Sequence, residues 1–160
     1  SLARDLDVDF PILFRRLASL PGQLGAPKVG LVIVDGAGRL VHRQPCDGFD
    51  LPRAGFGCAL WPVFSALQMP QISHHSVLTQ IKRAATGAME QTPVVAFAVA
   101  ERISSSRFDR TPLHRALMLL VPDVDAGQRA PTQTVGLACR VCQSATCFAR
   151  SEPSILKEEF

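Results

Sequence analysis

The chain has 160 residues, 47% of them hydrophobic, and a formal net charge of +3. That is enough apolar material for one buried core and one domain. A basic excess this small, spread along the chain instead of gathered into a block, argues against a surface that grips nucleic acid by itself.

Asp5, Asp7 and Asp9 occupy the place where a targeting sequence needs basic residues, so no signal peptide is expected and the compartment is read as cytoplasmic. A start at Ser1 instead of Met suggests a piece that lacks upstream sequence. Phe10, Leu13, Phe14, Leu17 and Leu20 fall within one ~120° arc at about 3.6 residues per turn, which predicts an amphipathic helix. Asp9 suits its N-cap, Pro11 its first turn, and Pro21-Gly22 its end. Val29 to Val34 is a β-branched run fit for a buried strand. Asp35-Gly36-Ala37-Gly38 supplies turn residues, and Arg39 to Arg43 alternates, completing a hairpin with Leu40 and His42 on one face and Val41 and Arg43 on the other.

Gln44 to Gly57, rich in Pro and Gly, reads as an ordered loop carrying Cys46, Asp47, Asp50 and Arg53. A short helix follows from about Leu60 to Leu67, ended before Pro70. Three strands are predicted at Val77 to Lys82, Pro93 to Ala100 and Leu113 to Val121, with loops around Thr86-Gly87 and from Ser104 to Pro112. The longest apolar run, Pro93 to Ala100, is far short of the ~20 residues that span a bilayer. Gln128 to Pro131 leads into a cysteine segment. The expected organisation is a single effector-sensing domain over 1–160, with a linker or dimer helix at 1–22, the cysteine segment at 136–150 and a tail at 151–160.

This order predicts an α+β fold, an antiparallel sheet with helices packed on one face and a C-terminal cysteine knuckle. Sensor domains of the PAS and GAF type share the plan, with a ligand pocket between sheet and intervening loop; that is analogy of fold alone.

The five cysteines are Cys46, Cys58, Cys139, Cys142 and Cys147. An odd number in a reducing compartment favours thiols or metal ligands over disulfides. Cys139 and Cys142 form a CxxC, and Cys147 follows after four residues. Two such thiolates can reach one tetrahedral zinc at about 2.3 Å each, and a third can close in. Cys58, set among Gly55 and Gly57, is the natural fourth ligand, with Cys46 or His42 as substitutes. Three readings stay open here: a bound metal, plain reduced thiols, or a redox pair.

His74 and His75 are neighbours in sequence, so on a strand they would point to opposite faces and could not easily share an ion. His114 reads as a core or edge residue. The HExxH, GxSxG and GxxxxGK[ST] patterns are absent, and no spacing pairs a cysteine with a base, so no enzyme is expected. Arg53, Phe56 and Trp61 lie near Cys58. An arginine can clamp phosphate and a tryptophan can stack a planar ring, or Arg53 is a surface cation and Trp61 a core anchor.

Two stretches carry a resemblance to a known family. Phe49-Asp-Leu-Pro52-Arg53-Ala-Gly55-Phe-Gly57-Cys58-Ala-Leu60-Trp61 resembles a pattern of Pro-Arg, glycines, then Cys-Pro-Leu-Trp. Gly136-Leu-Ala-Cys139-Arg140-Val-Cys142, with Cys147 and Arg150, resembles a closing Cys-Arg-x-Cys-x4-Cys-x2-Arg. Together with Val77 to Ile81 they are similar to the C-terminal region of the short-chain fatty acyl-CoA regulators, bacterial proteins with an N-terminal helix-turn-helix. The likeness spans about Val29 to Pro153. Ala59 and Phe148 depart from it, each standing where a proline is usual.

The resemblance implies a domain that senses short-chain acyl-CoA and biases DNA binding by an upstream helix-turn-helix, and regulators of this kind commonly dimerise. It also brings Cys58 together with Cys139, Cys142 and Cys147, here expected to hold a structural zinc. Acyl-CoA would set its phosphates near Arg53 or Arg43 and its acyl end against Phe56 and Trp61. A thiol redox or metal sensor is the rival, and an enzyme acting on acyl-CoA thioesters ranks last.

Overall fold

All five residues of the first strand, β1 (Gly30–Val34), are buried, and so are five consecutive residues of its neighbour, Ala116 to Leu120. Successive side chains of a strand point to opposite faces, so a sheet built on such runs must be covered on both sides. A computed structural model of the chain describes residues 8–20, 27–83, 89–90, 92–104, 108 and 111–156. In chain order they form α1 (Phe10–Ser19), β1, β2 (Leu40–Gln44), α2 (Pro62–Gln68), β3 (His74–Gln80), β4 (Lys82–Arg83), β5 (Met89–Glu90), β6 (Pro93–Arg102), β7 (His114–Pro122), α3 (Ala126–Arg129) and β8 (Thr132–Val135). A 3-10 turn follows at Cys139–Val141.

Six strands make one sheet in the order β2-β1-β7-β6-β3-β8, and β4 pairs with β5 apart from it. Every pair in the large sheet is antiparallel except β3 with β8. The fold is therefore mixed α+β with a mostly antiparallel sheet. The three strands expected to pair as antiparallel neighbours do so, in the order β7-β6-β3.

The expectation of helices on one face is corrected. Val32, Val34, Met118 and Leu120 pack with Val63 and Ala66 of α2 and with Trp61. The alternate residues Leu31, Ile33, Leu117 and Leu119 pack with Phe14 and Ala18 of α1. One helix thus covers each face, because both sets of alternate residues are apolar. Pro11 lies in the first turn of α1, and Asp9 stands at its N-cap position without a side-chain capping bond. Leu20, assigned to the apolar stripe from its spacing, lies beyond the helix and is 64% exposed. The glycine-proline stop expected at 21–22 and the Thr86-Gly87 loop lie outside the described residues.

The hairpin forms, with one change. Val34 pairs with Leu40 and Ile33 with His42, so the register shifts by one residue at Val41. A bulge of this kind flips the residues beyond it. Leu40 joins the α2 side, opposite Val34, whereas His42 faces the α1 side opposite Ile33. Further polar ties hold α1 down: Arg15 and Arg115 both pair with Glu101, and Gln44 Nε2 donates to the Ala18 carbonyl. No helix among the described residues is long and apolar enough to cross a membrane.

Candidate functional site

After β2 the chain turns over the end of the sheet. Asp47 N donates to the Lys28 carbonyl at 3.2 Å, and Lys28 N donates to Asp47 Oδ2 at 2.7 Å. Buried Gln80, at the end of β3, then catches the loop with both ends of its amide. Its Oε1 accepts from Asp50 N at 2.7 Å and its Nε2 donates to Asp50 O at 2.9 Å. A buried amide with both ends satisfied fixes the backbone it meets. The loop goes on past Arg53 and Phe56 to Cys58 and Trp61.

Trp61 is wholly buried, its ring against Phe49 at 5.4 Å and Phe64 at 6.5 Å between centroids. Gly57 lies flat on the indole, where a Cβ would run into the ring. The indole Nε1 donates to the Gly136 carbonyl at 3.0 Å, tying the loop to the first residue of the cysteine segment. Cys58 Sγ accepts backbone N–H bonds from Leu60 and, on the same junction, Gly136. A Cβ added at Gly136 would stand 2.8 Å from Cys142 Sγ and 4.0 Å from Cys58 Sγ. Only a residue without a side chain lets these two sulfurs flank that backbone.

Cys58, Cys139, Cys142 and Cys147 all line one cleft of about 200 Å³, with Leu60, Gly136 and Arg150 among its other walls. The structure thus brings these four residues to the wall of one cleft. Cys46 and His42, the substitutes, lie elsewhere. Cys46 is buried against the Leu120 carbonyl, its thiol pushed up to about 12 chiefly by burial, and His42 is exposed on β2.

Within the cleft the thiols differ. Burial raises Cys58, helped by the nearby charges of Cys139 and Cys142, and outweighs the two N–H bonds that lower it. At Cys139 burial also acts upward, but hydrogen bonds from Ser151 and Glu152 and the Arg150 charge bring the thiol below its ordinary value. Among the described residues no three His, Cys, Asp or Glu side chains already stand in metal-holding geometry. The donor set itself suits zinc: four cysteines on one small cleft, with thiolate-stabilising N–H groups on Cys58 and Cys139.

The other expected contacts are not in this cleft. Arg53 is exposed and Phe56 is 57% exposed. Gly55 O accepts from Leu40 N at 3.3 Å, which puts this part of the loop beside the edge strand β2. Arg43 lies on that strand, half-buried, and its Nε is covered without a hydrogen-bond partner among the described residues. Trp61, fully covered, stands as a core anchor. His74 and His75 open β3 and pair with Ala98 and Phe97, on opposite faces. A second cleft, of about 470 Å³, opens between the start of α1, Pro70 to Ser73 and the end of β6.

The contacts made by Gln80, Gly136 and Ser151 have no counterpart among the sequence-based expectations. Gly136 alone had a local sign, a glycine three residues before the CxxC.

A solved structure described as a Mycobacterium tuberculosis transcriptional regulator shares the fold, with a TM-score of 0.71 at 23% identity over 96% of this chain. This chain spans 48% of that one, about half its length. No curated protein sequence matches. The family model described as the short-chain fatty acyl coenzyme A regulator, C-terminal, matches residues 19–159, and the chain belongs to that family.

Proposed function

We propose that the chain is the effector-sensing C-terminal domain of a bacterial transcription regulator, a GAF- or PAS-like module that binds short-chain acyl-CoA. The family match over residues 19–159 carries this reading. Zinc held by Cys58, Cys139, Cys142 and Cys147 would pin the Arg53-Phe56 loop to the C-terminal segment. A closed four-thiolate site supplies structure and leaves no open position for catalysis. The acyl-CoA phosphates would then meet Arg53 and Arg43, and the acyl end Phe56, with Trp61 behind the loop. The covered Arg43 Nε supports an anionic partner, since a buried donor costs free energy until an acceptor reaches it.

A ligand switches a regulator only by preferring one conformation over another. The α1 helix is the candidate relay or homodimer surface toward an upstream helix-turn-helix, through which alone DNA would be met, in the cytoplasm. Titration calorimetry with acetyl-, propionyl- and butyryl-CoA tests the reading. Micromolar or tighter binding to the wild type, weakened about tenfold or more in R53A, is expected from the loss of a charge-assisted phosphate contact. Unchanged affinity removes Arg53 from the site, and no binding of any of the three sinks acyl-CoA sensing.

A second reading rests on Cys139 and Cys142 lining the same cleft: a redox sensor in which the two lose two hydrogens to peroxide, forming a disulfide and water. Mass spectrometry after mild peroxide separates the two: a zinc-bound set resists until metal is removed, a sensor pair oxidises at once.

A further inference from the structure

We infer that Gln80 is a positioning residue for effector capture, holding the Arg53 loop in place from the sheet. The inference rests on the acyl-CoA reading above and is independent of any metal. A glutamine only 1% exposed is rare in a core, because both ends of its amide need partners. Gln80 finds both on one residue of the loop. Asp50 N donates to its Oε1 at 2.7 Å, and its Nε2 donates to Asp50 O at 2.9 Å. The Asp50 side chain turns outward, 62% exposed, with Lys82 Nζ at 3.9 Å from Oδ1. The glutamine thus grips backbone and leaves the carboxylate outside.

The grip itself is anchored. Gln80 is the last residue of β3, paired with Val135 of β8, and Ile81 N donates to Val135 O at 2.9 Å. From Asp50 only Leu51 and Pro52 lead to Arg53; Leu51 packs against the core and Pro52 is buried. A proline fixes its own φ and restricts the residue before it to extended backbone, so this short path has little freedom. Beyond it, residues 53–56 are exposed, and Gly55 takes a φ of +80°. Where Arg53 stands is therefore set from the Asp50 side. A cation held in place beforehand loses less freedom on meeting a phosphate, so a residue without ligand contact can raise affinity.

Calorimetry with propionyl-CoA compares wild type, Q80L and Q80E from about pH 5.5 to about pH 9, where a carboxyl raised by burial titrates. In Q80E an ionised carboxylate accepts from Asp50 N but has no proton for Asp50 O; the protonated acid restores both bonds. Relative to wild type at each pH, Q80L is expected to bind about tenfold more weakly throughout. Q80E should match that loss at high pH and return toward wild type as pH falls. R53A should add less than about threefold in the Q80L background, because the two residues act through one arrangement. Losses that multiply with R53A overturn the inference, since Gln80 would then support the fold without placing Arg53. Should Q80L lose its sheet by far-UV circular dichroism, Q80E decides, and a loss independent of pH overturns it. No binding by wild type overturns acyl-CoA sensing and this inference together, whereas wild-type binding with unaffected Gln80 variants removes Gln80 alone.

Discussion

The sheet and the cysteine segment are held together in opposite ways. In the sheet, alternate residues of β1 and β7 feed two apolar clusters, and β7 is paired along both its edges, to β1 and β6. In the segment from Gly136 to Glu152, side chains take over the work of backbone. Arg150 holds carbonyls, Ser151 Oγ donates to Cys139 Sγ at 3.5 Å, and Ser154 Oγ donates to the Arg140 carbonyl at 3.4 Å. The first region is stable by burial, the second by a few specific polar ties around thiols.

Trp61 joins the two regions, and its loss should cost most. Trp61→Ala removes a wholly buried ring and the bond to Gly136, and should destabilise by about 3–5 kcal/mol in urea unfolding. A loss below about 1 kcal/mol would mean that the loop and the core are not coupled through it. Gly57→Ala presses a methyl into the same ring and should cost about 1–3 kcal/mol, the penalty of overpacking.

A smaller effect belongs to the tie between α1 and the sheet. Burial raises Glu101, but Arg15 and Arg115 outweigh it and hold the carboxyl below its ordinary value. With the folded value depressed, this stabilisation is full above the ordinary carboxylate range and is lost as pH falls through the folded value. Glu101→Gln should cost about 1 kcal/mol at neutral pH and progressively less in acid, read as paired urea midpoints across pH. A pH-independent difference would contradict the ion-pair account. The least effect on stability is expected at exposed Arg53, where R53A should stay within about 0.5 kcal/mol of wild type. A larger shift would show that Arg53 supports the fold, and its effect on acyl-CoA affinity would need another explanation.

Much of this was legible in the chain. The β-branched run at Val29 to Val34 and the apolar stretches at 93–100 and 113–121 announced central strands, because burial on both faces leaves unbroken apolar runs. The same runs should have signalled a second covered face. The polar edge strand Thr132–Val135 gave no such pattern, since three of its four residues are exposed. The one-residue bulge at Val41 left no mark in the alternation either. The meeting of Cys58 with the C-terminal cysteines was implied by spacing and resemblance, but its means, the Trp61 bond to Gly136 and the Gln80 bonds to Asp50, depends on tertiary pairing that local sequence does not encode. Arg43 and Arg53 carried only charge, and charge alone does not say what it faces.

The most direct test of the account is zinc content by elemental mass spectrometry of the purified chain, with free thiols counted in parallel. The account predicts about one zinc per chain, four of the five cysteines protected, and loss of both in Cys142→Ser. A metal-free chain with Cys58, Cys139, Cys142 and Cys147 all freely titratable would contradict it.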